Sequence, residues 1–273
     1  MSSARWAARR FGMLLCMLPG LLLLVTGCAP QPVTVTREPV TLRLVAAASC
    51  RPLLERAAEA YEAARPWVTT EYQVFNTTVA EDILREGGAE VAFLSWLWDG
   101  GGDGEPPLWT ERFARDGVAV IVHPELPLAE VGLSQLREIF LGRLQTRDGV
   151  AFVVVSRQSG SGTRAAFERI ALGGESATLN AVVVPTSESM LEFVANTPGA
   201  IGYVSTERLD DSVRMLAIDG VLPTDETIAE GRYPLWRPLY LASQGEPTGE
   251  AREFAQWLLR GGISDDSGEA VGD

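Results

Sequence analysis

A short apolar run, followed at once by a glycine-rich turn and a helical pattern, most constrains the fold of this chain. Residues 150–155 are rich in valine, which favours a buried strand. The turn at 157–164 has the sequence RQSGSGTR, and Phe167 and Ile170 follow it at helical spacing. Glycines let the backbone approach a ligand, and a helix N-terminus carries partial positive charge. The segment therefore predicts a cradle for an oxyanion.

Side chains of the same turn add hydrogen-bond donors to this cradle. Ser161 and Thr163 carry hydroxyls, and Arg157 and Arg164 each offer a guanidinium for planar pairing with an oxyanion. An ordinary strand–turn–helix with glycine for tight geometry fits these residues equally well, because short glycine motifs often match by chance. Both interpretations stay open on this segment alone.

The N-terminal segment predicts export. Three arginines precede an apolar run at 11–25 that is short for a membrane span, and the chain continues with the sequence VTGC at 25–28. Small residues before one cysteine resemble a bacterial lipobox, so we expect a signal peptide at 1–27 and a lipid on Cys28. An ordinary signal peptide or an uncleaved anchor, with Cys28 incidental, is the alternative. Residues 28–40, polar and interrupted by prolines, predict a tether.

Cysteine content and charge exclude several classes of protein. Removal of the signal and lipidation of Cys28 would leave Cys50 alone, so we expect no internal disulfide. The net charge of −13 becomes −16 once the three signal arginines are removed. Such an acidic chain argues against nucleic acid as a partner, whereas local dipoles can still bind a small anion.

Strands and helices alternate through the rest of the chain, which predicts an α/β fold. Strands are predicted at 40–46, 68–75, 91–94, 118–122, 150–155, 181–184, 198–204 and 238–241. Helices are predicted at 53–64, 79–85, 133–140, 187–195 and 249–259, with Ser134 near the cap of the third. The acidic residues 263–273 predict a disordered tail.

The patterns of common enzymes and metal sites do not fit this sequence. A nucleophile elbow has glycine two positions before and two positions after its serine, whereas Ser161 has Ser159 and Thr163 there. The chain also has no lysine to complete a P-loop. The segment GSGTRA at 160–165 fits a loose dinucleotide pattern without the acidic residue about twenty positions later. One histidine and few cysteines disfavour a zinc site. We therefore expect no catalytic activity, no cofactor and no metal.

Several segments together resemble the phosphate-binding proteins of ABC importers, within the type II periplasmic-binding-protein superfamily. The most specific segment is 157–167, supported by GVAVIV at 117–122, GAIGYV at 199–204 and YPLWRPL at 233–239. The resemblance implies a two-lobed fold, each lobe a mixed sheet flanked by helices with a hinge between them. It implies a first lobe at 41–122 plus 207–262 and a second lobe at 123–206.

The resemblance also implies a function and a location. Such a protein, lipid-anchored on the extracytoplasmic face of the cell membrane, would capture an oxyanion, phosphate above all, and deliver it to the permease of an ABC importer. The alternatives are a surface-anchored sensor or interaction protein with a degenerate anion site, and a receptor for another anion such as molybdate. A hydrolase is a more distant alternative, since no base–nucleophile pair supports one.

Candidate ligand residues are carried over from the resemblance by position. Arg157, Ser161, Gly162 and Thr163 match the half of the site on the second lobe. On the first lobe, Ser49 ends the sequence AAAS where the related proteins have Gly-Ser-x-Thr.

Two further first-lobe positions depart from the pattern of the related proteins. Thr77 lies in NTT, where those proteins have Gly-Ser-Gly, and Glu90 corresponds to an aspartate that accepts the phosphate proton. Ser49 and Thr77 could instead be helix caps, and Glu90 could be a solvated residue before a strand.

Overall fold

The computed structural model describes residues 37–97, 106–147 and 149–263, all but Arg37 in the unit that begins at Glu38. The strands are β1 (Val40–Ala47), β2 (Val68–Phe75), β3 (Val91–Leu94), β4 (Trp109–Val122), β5 (Glu130–Val131), β6 (Thr146–Arg147), β7 (Val150–Ala151), β8 (Val153–Arg157), β9 (Val182–Val184), β10 (Ala200–Ser205), β11 (Arg214–Met215), β12 (Ala217–Ile218) and β13 (Trp236–Ser243). The helices are α1 (Arg51–Ala64), α2 (Thr77–Arg85), α3 (Leu133–Phe140), α4 (Gly162–Ile170), α5 (Ser187–Asn196), α6 (Asp225–Ala229) and α7 (Gly249–Leu259). Two 3₁₀ turns, Ala48–Cys50 and Thr206–Arg208, follow β1 and β10.

One mixed sheet organises these elements. Its strand order is β2-β1-β3-β13-β4-β10-β8-β9, and β11 pairs with β4 beside this path. Strand β1 is parallel to β2 and β3, and β8 is parallel to β9 and β10, while β10 and β13 run antiparallel to β4. Parallel strands end at the same edge of a sheet, and ligands of α/β proteins bind at that edge.

Strand β4 serves both halves of the sheet. It pairs with β13 through Gly117 and with β10 from Val118 onward. The sequence predicted only 118–122 as strand, because residues 109–116 (WTERFARD) have neither an apolar run nor a regular alternation of charged and apolar side chains. Pairing with β13 extends the strand back to Trp109.

Apolar side chains form separate buried clusters along the sheet. One cluster joins β1 and β3 to α1 and α7, and includes Phe93 and Phe254. Another joins β4 and β10 to α3 and α4. In the latter, Phe167 of α4 stacks on Tyr203 with ring centroids 4.1 Å apart. Helices that cover apolar sheet faces confirm the predicted α/β class.

The start of α3 differs from its prediction. Gly132, and not Ser134, occupies the N-cap position, and no side chain of the helix caps it. The Asp219 carboxylate instead accepts a hydrogen bond from the backbone N–H of Leu133 over 3.1 Å. A residue distant in sequence therefore satisfies the helix end, which local residue type could not reveal.

The predicted signal peptide, Cys28 and most of the tether fall outside the residues described, as does the tail beyond residue 263. Within the described ranges, no helix combines the length and apolar character needed to cross a membrane.

Candidate functional site

Most of the predicted ligand residues meet at a cavity to which both halves of the sheet contribute strand ends. Ser49 lies in the turn after β1, Thr77 begins α2 after β2, and Arg157 ends β8. They share a cavity whose lining is Ala48, Ser49, Asn76, Thr77, Arg157, Ser161, Gly162 and Thr163. Its volume is about 10 Å³, which is room for about one water molecule.

The cap of α2 leaves Thr77 available to the cavity. The side-chain oxygen of Asn76 accepts a hydrogen bond from the backbone N–H of Val79 over 2.9 Å, so Asn76 is the cap. The Thr77 hydroxyl lies 3.0 Å from the Ser95 hydroxyl and accepts a hydrogen bond from the N–H of Gly162 over 3.1 Å. Ser95 directly follows β3 and was not among the residues predicted from the sequence. Its signal was the position after a short buried strand.

Helix α4 begins with a serine cap and a paired arginine. The Ser161 hydroxyl accepts a hydrogen bond from the N–H of Arg164 over 3.3 Å. The Arg164 guanidinium donates to Glu168 over 2.9 Å and to the carbonyl oxygen of Arg157 over 3.0 Å. Arg164 therefore braces the helix and the strand end, and it does not line the cavity as the sequence had suggested.

The two glycines of the turn allow α2 and α4 to meet. Gly160 has a φ of 81°, a conformation that favours glycine, and its carbonyl accepts a hydrogen bond from the N–H of Thr78 over 3.3 Å. A Cβ added to Gly162 would lie 2.4 Å from the hydroxyl oxygens of both Thr77 and Ser95. Only glycine fits at that position while the helix ends remain in contact.

Arg157 brings a buried positive charge to the cavity. Its side chain is almost fully buried, with a relative exposure of 3%. It donates to the Ser187 hydroxyl and to the Pro185 carbonyl, both over 3.0 Å, while its Nε is buried with no hydrogen-bond partner. Burial lowers the pKa of this guanidinium from its ordinary value. Among the described residues, no carboxylate forms a salt bridge with Arg157.

The structure corrects the expectation for Glu90. This residue precedes β3, whereas the cavity lies beyond the other end of that strand, where Ser95 follows. Glu90 is exposed, and its carboxylate accepts a hydrogen bond from the backbone N–H of Arg43 over 2.9 Å. It is a solvated residue at the start of a strand, the alternative noted from the sequence.

A buried ion pair lies behind the cavity. Arg237 donates through Nε and Nη2 to the Asp116 carboxylate over 2.9 and 2.7 Å, and both side chains are 1% exposed. The other Asp116 oxygen accepts from the hydroxyls of Ser205 and Thr206. Arg237 also donates to the Thr163 hydroxyl over 3.1 Å. No role was predicted for this pair, although Asp116 directly precedes segment 117–122 and Arg237 lies in segment 233–239.

The chemistry of the cavity suits an anion. Hydroxyls, backbone N–H groups, the N-terminal ends of α2 and α4 and one buried guanidinium surround it, and all of these stabilise negative charge. Over the ranges that the structure describes, no group of three or more histidine, cysteine or acidic side chains could hold a metal ion.

Comparison with known families decides the membership of this chain. Residues 33–261 match the PBP superfamily domain. The chain belongs to the PBP superfamily. This PBP-superfamily chain is 28% identical over 225 residues to the phosphate-binding protein PstS of Bacillus subtilis, covering 80% of the chain and 75% of the relative. It is 33% identical over 146 residues to the phosphate-binding protein PstS 2 of Streptococcus pneumoniae TIGR4, covering 49% of the chain and 50% of that relative.

Two solved structures of phosphate-transport proteins are also similar to this chain. A putative phosphate ABC transporter substrate-binding protein with bound phosphate, from Clostridium perfringens, superposes with a TM-score of 0.76 at 28% identity, covering 85% of this chain and 96% of the other. An ABC-type phosphate transport receptor from Vibrio cholerae gives a TM-score of 0.65 at 25% identity, with coverages of 80% and 93%. The family resemblance predicted from the sequence is confirmed.

Proposed function

We propose that this protein is the solute-binding receptor of an ABC importer and that its ligand is a tetrahedral oxyanion, phosphate above all. The burial of Arg157 carries the proposal. Arg157 lines the cavity, its guanidinium donates only to neutral groups, and its buried Nε has no hydrogen-bond partner. A buried charge with neutral neighbours is costly, and a bound anion would offset that cost.

The comparisons support phosphate as the ligand. The relatives from Bacillus subtilis and Streptococcus pneumoniae are named phosphate-binding proteins, and the similar structure from Clostridium perfringens holds phosphate. These proteins are named for binding or transport and not for a chemical reaction, so we assign this chain a transport role without catalysis.

Ligand contacts are assigned to the residues that line the cavity. Arg157 supplies charge, and the N–H groups of α4 near Gly162 supply backbone donors. Hydroxyl donors come from Ser49, Thr77, Ser161 and Thr163. Affinity in such a site comes from fixed donors that replace the water around the anion.

A hinged arrangement of two lobes is part of this proposal. We assign 41–122 plus 207–262 to one lobe and 123–206 to the other. The buried cluster that includes Phe254 lies wholly in the first lobe and supports this division, whereas the cluster that includes Phe167 also contains first-lobe residues from β4 and from 216–235. Because a cavity of about 10 Å³ is smaller than a tetrahedral oxyanion, the turns around Thr77 and Gly162 must separate for a ligand to enter.

The location follows from the sequence of the N-terminal segment. We propose that residues 1–27 are a signal peptide and that lipid on Cys28 anchors the protein at the extracytoplasmic face of the cell membrane. The permease of an importer is the proposed partner. Mass spectrometry of the protein from its native membrane tests the anchor, because a diacylated Cys28 at the N-terminus is expected; an unmodified Cys28 would contradict it.

Isothermal titration calorimetry of the purified protein with phosphate, sulfate and molybdate tests the ligand. We expect heat of binding with phosphate and a loss of about 2–5 kcal/mol in binding free energy for Arg157→Met. Arg169→Met is the matched control, because Arg169 is an exposed arginine in the last turn of α4. Absence of heat with all three anions would contradict the receptor function, and heat with molybdate alone would reassign the ligand.

A further inference from the structure

Arg237 is a second buried guanidinium beside the anion cavity, and nothing in the role of Arg157 explains it. Its side chain is 1% exposed. Nε and Nη2 pair with Asp116, while Nη1 is buried with no hydrogen-bond partner. A buried ion pair contributes little to stability on balance, since desolvation offsets the attraction. Because this ion pair adds little to stability and lies beside the cavity, a role in ligand binding would explain its presence.

The hydrogen bond from Arg237 to Thr163 has only one possible direction. A guanidinium carries donors alone, so the Thr163 hydroxyl oxygen must accept from Nη2, over 3.1 Å. The hydroxyl proton of Thr163 then points away from Arg237 and is available to another acceptor. Thr163 is 2% exposed and lines the cavity, so an anion there can accept that proton.

The positive charge of Arg237 also favours Thr163 as a hydrogen-bond donor to an anion. Arg237 lowers the pKa of Arg157, although less than burial does, so the two guanidinium groups interact electrostatically. A donor that is itself hydrogen-bonded to a cation is polarised, which strengthens the bond that it donates.

We propose that Arg237 is a positioning residue of the anion site, which orients the hydroxyl of Thr163 as a donor into the cavity and polarises it. This inference rests on the proposed oxyanion receptor function. Asp116 holds the guanidinium in place, and its second oxygen is fixed by Ser205 and Thr206 where β4 changes partner from β13 to β10. The ion pair thus connects the cavity to the point on β4 where the pairing partner changes.

A double-mutant cycle tests this role through the affinity for inorganic phosphate. Thr163→Val removes the hydroxyl, and Arg237→Lys keeps the charge opposite Asp116 with a shape that cannot reach both partners. Each single variant is expected to weaken phosphate binding about tenfold. Together they are expected to weaken it no more than either alone, because residues that act through one contact are not additive. Thr163→Ser, which keeps the hydroxyl, is expected to retain affinity within about threefold.

A variant that destabilises the fold without disturbing the contact between Arg237 and Thr163 provides the control. Tyr233→Phe removes a buried hydrogen bond to the Val118 carbonyl, outside the contacts of Asp116, Arg237 and Thr163, so it is expected to lower the melting temperature and leave phosphate affinity unchanged. If Arg237→Lys does not fold, Asp116→Asn combined with Arg237→Gln leaves no buried charge unpaired and is expected to give the same loss as Thr163→Val.

The outcomes separate the two proposals. If the unmodified protein binds none of the anions, the receptor function fails and this inference fails with it. If the unmodified protein binds phosphate and the losses from Thr163→Val and Arg237→Lys multiply to about a hundredfold, the receptor function stands and the role of Arg237 is overturned. The same holds if Arg237→Lys changes only the melting temperature.

Discussion

The backbone N–H of Gly162 donates a hydrogen bond to the hydroxyl of Thr77 over 3.1 Å, so that α2 and α4 touch at their N-terminal ends. This N–H is one of the free donors that a helix N-terminus offers to an anion. Thr77 therefore holds the place of a ligand oxygen. In the proposed function, a bound anion would displace that hydroxyl from Gly162, and the two turns would close again around it.

Gly162→Ala is predicted to disturb this contact. The new methyl group would lie 2.4 Å from the hydroxyl oxygens of Thr77 and Ser95, so the helix ends would have to separate. We expect a loss of about 1–3 kcal/mol in the free energy of unfolding and a phosphate affinity at least tenfold weaker. Gly132→Ala is the control, because its methyl would meet only the Asp219 carboxylate, at 3.4 Å. Equal effects of the two variants in urea unfolding and calorimetry would contradict the prediction.

Asp116→Ala is predicted to destabilise the fold strongly. It would leave the Arg237 guanidinium buried without a counter-charge, and removal of one partner of a buried pair costs about 3–5 kcal/mol. Urea unfolding monitored by tryptophan fluorescence measures the loss. A change below about 1 kcal/mol would show that water reaches Arg237 and replaces the carboxylate.

Glu90→Ala is predicted to leave phosphate binding unchanged. Glu90 is exposed and lies at the end of β3 remote from the cavity. Its contact with Arg43, at 3.9 Å between Nε and Oε2, contributes at most about 1 kcal/mol to stability because both groups are solvated. Calorimetry with phosphate provides the measurement, and a tenfold weaker affinity would restore Glu90 to the ligand site.

The stability of the fold is predicted to fall above pH 9 because of Cys50. Burial raises the pKa of this thiol from 9.0 to about 12. The unfolded chain loses the thiol proton first, so stability is complete below pH 9 and falls as the pH rises toward 12. One group accounts for about 1 kcal/mol between pH 9 and pH 10.

Urea unfolding at pH 8, 9 and 10 checks the contribution of this thiol. Cys50→Ala is expected to show a correspondingly smaller decrease in the free energy of unfolding than the unmodified protein. Identical decreases would mean that the thiol is ionised in the folded state. Readings stay at or below pH 10, because burial also raises the pKa values of Tyr61, Tyr203 and Tyr233 above their ordinary value of 10.0.

Local sequence signals located most of the candidate site. The serine after β1 and the threonines after β2 follow parallel strands, which bring these residues to the same edge. The glycine turn at 160–162 follows β8, which runs antiparallel to β1, and it reaches the cavity from the other half of the sheet. The exact positions of the helix caps were harder to predict, since Asn76 caps α2 whereas Thr77 had been considered as a cap. Residue type predicts that some cap exists and leaves its exact position to the path of the backbone.

Contacts between residues far apart in the sequence explain what local sequence patterns did not reveal. Asp116 and Arg237 are 121 positions apart, and only the antiparallel pairing of β4 with β13 makes them neighbours. Glu90 was misplaced because position in a motif does not indicate which end of a strand faces the ligand. The first half of β4 was missed because its charged residues are stabilised by pairing and not by burial.

A crystal structure of the protein grown with phosphate tests the central claim most directly. We expect phosphate between the turns of Ser49, Thr77 and Gly162, with an oxygen within about 3 Å of an Arg157 nitrogen and of the Gly162 nitrogen, and with the Thr77–Gly162 hydrogen bond broken. Phosphate bound elsewhere, with Thr77 still bonded to Gly162, would contradict it.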